Sequence, residues 1–336
     1  MKLCLLSRFF DLRNAGVGRY SMELLKRLRE TDLEIETVSQ DGGIPFGSGM
    51  AKYFLYTAFE APFKIPQANV YHAMTPLESI HAPNPLVVTF HDFIPMLYLD
   101  QIGTHYAENR FERWFTSSYF RMACTRAVQK ADVITAVSEQ TKEELTREFE
   151  VNEREIQVIR HGINQGLEPA VKKDDVFRVG TLSFLGPRKR IDLLIQAFLK
   201  ANVDGELLIG GKGRMLNKLK EAAGGDERVK FLGFVPDEGL KDFYNSLDAF
   251  AFPTKLEGYG LPAVEAMACK TPVVTLSDAK VPSDIKNKTI IVDNLKEWLA
   301  NPDLSEIDLD KNYKFAKSHD WEKCAREYRD IYEKLG

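Results

Sequence analysis

One stretch of the chain, residues 249–275, constrains the fold more than any other. The apolar run Ala249–Phe252 predicts a buried strand that ends at a proline. Two glycines, Gly258 and Gly260, then form a turn, and a helix-prone segment follows Pro262, since proline is tolerated in a first helical turn. A strand, a glycine turn and a helix start form a place where backbone N–H groups point at a phosphate. The sequence therefore predicts an α/β protein with an anion-binding turn here.

Two carboxylates flank this turn, Glu257 in the loop and Glu265 in the first turn of the expected helix. Acids repel phosphate, so these two are better suited to accept hydrogen bonds from hydroxyls of a sugar and a ribose. Together with the phosphate-binding turn they indicate a nucleotide sugar as the ligand. The plainer alternative is a structural turn whose acids complement the helix dipole, and the residues alone do not decide between the two.

The motif around these acids resembles the signature of a known family. Seven residues separate Glu257 from Glu265 within EGYGLPAVEAMACKTPVV, which is similar to the Glu-x7-Glu motif of glycosyltransferase family 4, a group 1 family of mannosyltransferase-like and glucosyltransferase-like enzymes. The resemblance extends through the Gly-Tyr-Gly-Leu-Pro core and, less closely, over the whole chain. It implies the α/β GT-B fold, with two facing Rossmann-like doubly wound domains and an interdomain cleft, and a retaining, metal-independent glycosyltransferase.

Composition and length agree with a globular protein of two domains. Cores tend to split beyond ~250–300 residues, and this chain has 336. The net charge of −4 gives no reason to expect a nucleic-acid partner. Four scattered cysteines without metal or redox spacing are typical of reduced cytoplasmic thiols, and the apolar start is too short for a signal peptide. We therefore expect a cytoplasmic protein, and association with the inner face of the membrane stays open.

Strand and helix patterns alternate twice along the chain, which predicts two domains of the same class. The second series restarts at a strand over residues 177–182, and the charged run at 172–175 indicates a linker before it. We expect an amino-terminal, acceptor-side domain over residues 1–165, onto which a helix of about 318–336 packs back. The nucleotide-sugar-binding domain is expected over residues 166–317.

Three basic residues precede the first helix of the second domain: Arg188, Lys189 and Arg190. Cations before a helix start can hold a diphosphate, although a solvated charge run is the simpler interpretation. The family places a lysine here for that purpose. Its arginine just after the strand glycine, however, is Thr181 in this chain. Which of the three cations contacts each phosphate therefore stays open.

The remaining site residues are assigned by the resemblance. The implied catalytic residues are His91, Arg188, Lys189 and Glu257. The implied donor-binding residues are Gly16, Gly18, Phe234, Val235, Gly258, Tyr259, Gly260, Leu261 and Glu265. In this scheme Glu257 holds the sugar, Glu265 holds the ribose, and the backbone of Phe234 and Val235 contacts the base. The cations stabilise the leaving diphosphate at an oxocarbenium-like transition state, so no cofactor is required beyond a UDP-, GDP- or ADP-sugar donor.

Two of these assignments lie in the first domain. His91 follows the buried strand 86–90, at the strand end where ligands collect in open sheets. The phrase VVTFHDFIP resembles the segment that carries the family's histidine, which implies that His91 holds the sugar or stabilises the reacting centre, while Asp92 is suited to orient a turn. Residues 14–18 resemble the family's glycine loop, with Ala15 at one usual glycine position.

A helix predicted over residues 104–130 carries both aromatic and basic residues. Its apolar stripe has the spacing of an ordinary core contact, so we expect it to be buried; its members are Phe111, Trp114, Phe115, Ser118 and Met122. The alternative is that the helix arginines and the aromatic-rich segment 45–66 face an anionic lipid surface.

Together these observations predict transfer of a hexose from a nucleoside-diphosphate sugar to a saccharide or lipid-linked acceptor. The alternatives are a GT-B sugar phosphorylase or epimerase, and a nucleotide-sugar-binding protein without catalytic activity. A dehydrogenase is disfavoured, because no strand is followed by Gly-x-Gly-x-x-Gly with a distal acid. Asp308 and Asp310 have the Asp-x-Asp spacing of metal-dependent transferases, but they lie in a polar segment after the predicted sheet, and we assign no metal to them.

Overall fold

A computed structural model of the chain shows two compact α/β units. It describes residues 1–10, 16–40, 54–99, 110–171 and 174–336. Unit 1 comprises Met1–Gly162 and Trp321–Gly336, and unit 2 comprises Ile163–Asp320. Several predictions fall on residues outside the described ranges: the start of the glycine loop at 14–15, the aromatic segment up to residue 53, the helix over 104–109 and the lysines at 172–173.

Unit 1 is built on a six-stranded parallel sheet. Its strands are β1 Lys2–Leu6, β2 Glu34–Val38, β3 Val70–Ala73, β4 Leu86–Phe90, β5 Val133–Ala136 and β6 Ile156–Val158. Their order across the sheet is β2-β1-β3-β4-β5-β6. Strands β3 and β4 are buried along their whole length, as expected for a parallel sheet covered on both faces. The order changes direction between β1 and β3, which is the topological switch point of this unit.

The helices of unit 1 include one from the far end of the chain. They are α1 Val17–Leu28, α2 Ala61–Lys64, which follows a π-helical turn at Tyr56–Glu60, α3 Ile94–Leu97, α4 Arg110–Lys130, α5 Glu139–Phe149 and the carboxyl-terminal helix Trp321–Leu335. The carboxyl-terminal helix packs against α1 and buries Trp321, Tyr328 and Tyr332 in one core cluster with Tyr20 and Leu24. A chain segment remote in sequence thus completes the core of unit 1.

The predicted buried stripe of α4 is wrong. Phe111 is 70% exposed, Trp114 is 64% exposed and Met122 is 39% exposed. The face that α4 buries is instead formed by Thr116, Tyr119, Phe120, Ala123, Cys124 and Ala127. Both faces carry apolar residues at helical spacing, so periodicity did not distinguish them.

A buried polar network fastens the carboxyl-terminal helix to the sheet. His72 on β3 is completely buried; its Nδ1 lies 2.6 Å from the Tyr332 hydroxyl and its Nε2 lies 2.8 Å from Thr89 Oγ1. Thr89 Oγ1 lies 2.8 Å from the hydroxyl of Tyr328. Burial lowers the pKa of His72 to about 3, so the ring is neutral near pH 7.

Unit 2 contains a second six-stranded parallel sheet. Its strands are β7 Arg178–Leu182, β8 Glu206–Gly210, β9 Val229–Gly233, β10 Ala249–Phe252, β11 Val273–Leu276 and β12 Ile290–Val292. Their order is β12-β11-β10-β7-β8-β9, the classic doubly wound order of dinucleotide-binding sheets. The chain moves outward from β7 to β9 and then returns to the other side of β7. The switch point therefore lies between β7 and β10.

The helices of unit 2 alternate with these strands. They are α6 Ile191–Ala201, α7 Leu216–Ala223, α8 Asp237–Asn245, α9 Leu261–Ala268, α10 Ser283–Lys286, α11 Leu295–Ala300 and α12 Leu309–Lys317, and a 3-10 turn at Pro187–Lys189 precedes α6. None of the helices in the described ranges is long and apolar enough to cross a membrane.

The Asp-x-Asp pair has structural partners. Asp308 caps α12 by accepting a 2.9 Å hydrogen bond from the N–H of Lys311, and Asp310 Oδ1 lies 2.5 Å from the Nζ of Lys270. Within the described residues, no group of three or more histidine, cysteine or acidic side chains is placed to hold a metal ion.

Candidate active site

The loops that follow β7 and β10 meet at the switch point of the unit 2 sheet. The N–H of Lys255, after β10, donates a 2.8 Å hydrogen bond to the carbonyl of Arg188, after β7. On its other side the same loop is held by the N–H of Glu257, which donates at 2.8 Å to the carbonyl of Lys280 after β11. These bonds join the loops that follow three neighbouring strands of the sheet, β7, β10 and β11. The loops lie at the carboxyl edge, where open α/β sheets bind ligands.

Two of the predicted cations converge on one predicted acid at this edge. Arg188 Nη1 lies 2.9 Å from Glu257 Oε2, and Lys189 Nζ forms an ion pair with Oε1. Thr254 Oγ1 donates a 2.8 Å hydrogen bond to the same Oε1 atom. Glu257 is only 7% exposed. We call Arg188, Lys189 and Glu257 the ion cluster.

The charges of the ion cluster do not cancel. Burial opposes ionisation of Glu257, but the attraction of Arg188 and Lys189 outweighs it and holds the pKa of this carboxyl well below its usual range. Burial lowers the pKa of Lys189 to about 8, against the attraction of Glu257. Because guanidinium stays protonated, the cluster holds two positive charges and one negative charge at neutral pH. A net positive, mostly buried cluster suits an anionic ligand such as a diphosphate.

Arg190 belongs to a different set of contacts. Its Nη1 lies 2.9 Å from both carboxylate oxygens of Asp278. Its Nε and Nη2 donate to the carbonyls of Pro253 at 2.6 Å and Thr254 at 2.9 Å. The three basic residues adjacent in sequence are thus divided by the fold, with Arg188 and Lys189 on Glu257 and Arg190 on the neighbouring loops.

The glycine turn after β10 lies where it was predicted, but the helix starts earlier than expected. Gly260 has a φ of +110° and directly precedes α9, which begins at Leu261. Glu265 is therefore in the second turn of α9, and its predicted first-turn position is wrong. The left-handed glycine lets the helix begin before Pro262. Glu265 is 4% exposed and its Oε2 accepts a 2.8 Å hydrogen bond from the hydroxyl of Tyr244.

The remaining turn residues are predominantly buried. Gly258 and Tyr259 continue directly from Glu257 of the ion cluster, and Tyr259 is 7% exposed. Its ring lies 5.8 Å from that of His319, edge-on. The turn thus carries its backbone from the ion cluster to the start of α9.

Phe234 and Val235 follow β9, on the side of the sheet away from β11. Phe234 is 53% exposed, and Lys212 Nζ lies 5.4 Å from the centre of its ring. Lys212 sits in a glycine turn after β8, in which Gly211 has a φ of +119° and a Cβ would overlap the carbonyl of Ser183. A cation over an aromatic ring has no sequence spacing of its own, so residue patterns do not predict the contact between Lys212 and Phe234.

Unit 1 carries the other predicted residues. His91 follows β4; its Nε2 lies 2.9 Å from the carbonyl oxygen of Met74, and the ring of Tyr20 packs against it at 4.7 Å between ring centres. A carbonyl only accepts, so Nε2 carries the proton. Burial lowers the pKa of His91 to about 4, so near pH 7 the ring is neutral and Nδ1 is an acceptor. Asp92 Oδ1 accepts a 2.9 Å hydrogen bond from the N–H of Ile94, so it does orient a turn.

The two described glycines of the amino-terminal loop lie at the start of α1. Gly16 has a φ of +80° and directly precedes the helix, while Gly18 is buried in its first turn. A helix start leaves its first backbone N–H groups without intrahelical partners, and Ser7 Oγ, just after β1, lies 2.8 Å from Ser21 Oγ of this helix.

Comparison with known proteins relates both units to one group of enzymes. Residues 14–166 match the family described as Glycosyltransferase Family 4, and residues 166–307 match Glycosyl transferases group 1. O-antigen chain mannosyltransferase B of Escherichia coli is 24% identical over 377 aligned positions, which cover 95% of this chain and 96% of that protein.

Two solved structures are similar to this chain in fold. Sucrose-phosphate synthase of Thermosynechococcus elongatus has a TM-score of 0.76 at 19% identity, covering 99% of this chain and 98% of its own. Anabaena HepE, solved in complex with UDP and glucose, has a TM-score of 0.69 at 18% identity, covering 99% and 100%.

The two α/β units, each built on a parallel sheet, and these neighbours show the GT-B fold, as the sequence predicted. The two family models together match residues 14–307 without a gap. The chain therefore belongs to the group 1, family 4 glycosyltransferases.

Proposed function

We propose that this glycosyltransferase is a retaining, metal-independent enzyme that moves a hexose from a nucleoside-diphosphate sugar to a saccharide or lipid-linked acceptor in glycan biosynthesis. The observation that carries the proposal is the ion cluster, in which Arg188 and Lys189 converge on Glu257 at the switch point of unit 2. A relative solved with UDP and glucose and one named for O-antigen mannosyl transfer support a nucleotide-sugar donor and a glycan product.

The ion cluster has groups for both parts of the donor, its diphosphate and its sugar. In this proposal the donor diphosphate takes over the cations, and Glu257 then accepts hydrogen bonds from hydroxyls of the sugar. The bond from the anomeric carbon to the phosphate oxygen breaks, and a bond from the same carbon to the acceptor oxygen forms on the same face. The acceptor proton leaves with the diphosphate. Arg188 and Lys189 stabilise the charge that grows on the leaving group.

The other predicted residues hold the parts of the substrates that do not react. We propose that Glu265 accepts from the ribose and that backbone groups of Phe234 and Val235 contact the base. Neutral His91 offers Nδ1 only as an acceptor, so we propose that it binds a sugar hydroxyl rather than a phosphate. In the same scheme Gly16, Gly18 and the 258–261 turn present backbone N–H groups to phosphate oxygens.

A thermal-shift comparison tests the donor site. We expect UDP, GDP or ADP, or the corresponding sugar nucleotides, to stabilise the protein by about 2.7 kcal/mol at 100 times the dissociation constant. Lys189→Met should abolish the shift. Lys255→Met is the matched control, since Lys255 pairs with Asp278 outside the ion cluster. An equal shift in Lys189→Met, or no shift with any nucleotide, would contradict the proposal.

Product analysis separates the alternatives. A phosphorylase would require inorganic phosphate, an epimerase would release an altered sugar nucleotide, and a pure binding protein would leave the donor intact. Transfer that persists in excess chelator supports metal independence, and a strict need for magnesium or manganese would overturn it.

A second feature of the structure, a group of exposed aromatic residues, supports the proposal that the enzyme acts at a membrane surface. Four exposed aromatics, Phe59, Phe63, Phe111 and Trp114, lie on two segments of unit 1. The segments are joined through Phe54, whose ring centre lies 6.5 Å from that of Phe59 and 5.4 Å from that of Phe115 on α4. Single exposed apolar residues are ordinary, but a shared patch indicates a binding surface.

The charge of α4 supports an anionic partner for this patch. The helix carries one acid, Glu112, and five basic residues: Arg110, Arg113, Arg121, Arg126 and Lys130. The chain as a whole has a net charge of −4, so this basic helix stands against the overall charge. Aromatic side chains beside arginines are the combination that binds anionic lipid. We propose that this surface binds anionic lipid and brings the enzyme to a lipid-linked acceptor.

Co-sedimentation with liposomes tests this surface. We expect binding to vesicles that contain phosphatidylglycerol, weaker binding to pure phosphatidylcholine, and release in about 0.5 M salt, where the screening length is roughly 4 Å. Arg110→Glu with Arg113→Glu should abolish binding, whereas Arg154→Glu with Arg326→Glu, exposed on other elements of unit 1, should not. Absence of binding to either vesicle would overturn the lipid proposal and favour a saccharide acceptor in solution.

A further inference from the structure

We propose that Arg190 is a positioning residue that ties three loops of unit 2 together and thereby fixes Glu257 in the active site. This inference rests on the proposed function for its kinetic consequence, but its structural part is independent. Arg190 does not contact the residues of the ion cluster through its side chain; it acts through the loop that carries Glu257.

The guanidinium of Arg190 is nearly saturated by protein acceptors. It donates to both oxygens of Asp278 after β11 and to the carbonyls of Pro253 and Thr254 after β10. These contacts engage all three nitrogens of the guanidinium. The side chain is 18% exposed. A diphosphate would have to break these bonds to recruit Arg190, while Arg188 and Lys189 already face an exchangeable carboxylate.

The backbone of Arg190 has an unfavourable conformation, which supports a role for its side chain. Its φ is +51°, in the left-handed region that favours glycine. The other non-glycine residues with positive φ in the described ranges, Glu150, Asn202 and Lys270, all follow helices, where such caps are common. Arg190 ends the 3-10 turn Pro187–Lys189 and directly precedes α6, so it joins two helical segments. Backbone strain of this kind persists only where the surroundings enforce it, and it collects at functional sites.

The connection from Arg190 to the reacting groups runs through Thr254. Arg190 Nη2 holds the carbonyl of Thr254 at 2.9 Å, and the hydroxyl of Thr254 donates at 2.8 Å to Glu257 Oε1. Lys189, the other partner of that oxygen, is the chain neighbour of Arg190. One guanidinium therefore sets the distance between the loop that supplies the cations and the loop that supplies the carboxylate.

Variants at this position separate positioning from phosphate binding. Arg190→Gly removes the guanidinium and relieves the backbone, so it should fold well, and Arg190→Lys keeps the charge but not the fork of donors. Arg178→Lys is the matched control, because Arg178 also pairs with two acids of unit 2, Asp174 and Glu206, away from the ion cluster. Each variant is compared in hydrogen exchange and in release of UDP or GDP from UDP-glucose and GDP-mannose.

We expect amides of residues 254–260 to exchange about tenfold faster in Arg190→Gly, with β10 unchanged, because a local opening is released. Both Arg190 variants should lose about 100-fold in kcat/KM, mainly in kcat, since a displacement of roughly 1 Å costs this much. Millimolar guanidinium chloride should restore part of the rate and slow the exchange in Arg190→Gly, whereas sodium chloride at equal ionic strength should do neither. Arg178→Lys should behave as the wild type.

Two results would overturn the proposal. One is wild-type exchange and wild-type kcat/KM in Arg190→Gly. The other is loss of UDP and GDP affinity in Arg190→Gly with unchanged loop exchange, which would make Arg190 a phosphate ligand. If the wild type consumes no UDP-, GDP- or ADP-sugar, the proposed function fails, and loop exchange with its guanidinium rescue still decides whether Arg190 holds the loop.

Discussion

Arg188 Nη1 lies 2.9 Å from Glu257 Oε2, while Lys189 occupies the other oxygen of the same carboxylate. Both cations that we assign to the donor diphosphate are thus already paired with an anion of the protein. Under the proposed function, Glu257 would occupy the cations before the donor arrives and would turn to the sugar when the phosphates bind. The enzyme would then exchange one set of charge pairs for another instead of leaving buried cations without partners.

Replacing Glu257 should separate binding from turnover. In Glu257→Gln the cations lose their competing anion, so we expect UDP or GDP to bind more tightly than to the wild type. Turnover should fall about 100-fold, as when one preorganised active-site contact is lost. Calorimetry and steady-state rates measure the two effects. Glu206→Gln is the control, because Glu206 also pairs with one arginine and one lysine of unit 2; equal effects in both variants would contradict the role of Glu257.

The pKa of Lys189 predicts how nucleotide binding depends on pH. Burial places this pKa at about 8 in the free protein, and a bound diphosphate favours the protonated amine. Affinity for UDP or GDP should therefore be constant below about pH 7.5 and weaken above about pH 8.5, by up to tenfold per pH unit. Lys189→Arg should remove this dependence, since guanidinium does not titrate there. A flat wild-type profile to about pH 10 would refute the assignment of Lys189.

Glu265 should influence donor binding more than the chemical step. The ribose does not change during transfer, so Glu265→Gln should raise the Michaelis constant for the donor with little change in kcat. Tyr244→Phe removes the hydroxyl that donates to Glu265 and should have the same direction of effect, about fivefold, as expected for one hydrogen bond. A selective fall in kcat would place Glu265 at the reacting centre instead.

His72 should limit stability in acid. Its pKa of about 3 in the folded protein lies below the pKa of about 6.5 expected in the unfolded chain. Below about pH 6.5, therefore, unfolding is accompanied by uptake of a proton. The contribution of His72 is complete above about pH 6.5 and is lost progressively towards pH 3, with a slope of about 1.4 kcal/mol per pH unit. Denaturant titrations of the wild type and of His72→Gln measure this slope. An equal slope in both proteins would contradict the prediction.

Local patterns in the sequence were sufficient for much of the fold. Strand β10, the glycine turn at Gly258 and Gly260 and the following helix were predicted because each has a signal within a few neighbouring residues. The resemblance selected Lys189 and Glu257 as site residues. The sequence contained no sign that they are bonded to each other, since 68 positions separate them.

The failures have the same origin. Phe111 and Trp114 have helical spacing, but α4 has apolar residues on both faces, and only packing decides which face is buried. Arg190 looked equivalent to its two basic neighbours, and its separate role depends on where the loops after β10 and β11 end. Contacts between distant loops are properties of the assembled sheet.

The stereochemistry of donor consumption is the most direct test of retaining transfer at the ion cluster. We would follow the anomeric protons by NMR while the enzyme consumes UDP-glucose or GDP-mannose, with water or a saccharide as acceptor and Lys189→Met as the control. We predict that the first product has the same α configuration as the donor, in the presence of chelator, and that Lys189→Met forms it at least about 100-fold more slowly. A β product, or equal rates in the two proteins, would contradict retaining transfer at the ion cluster.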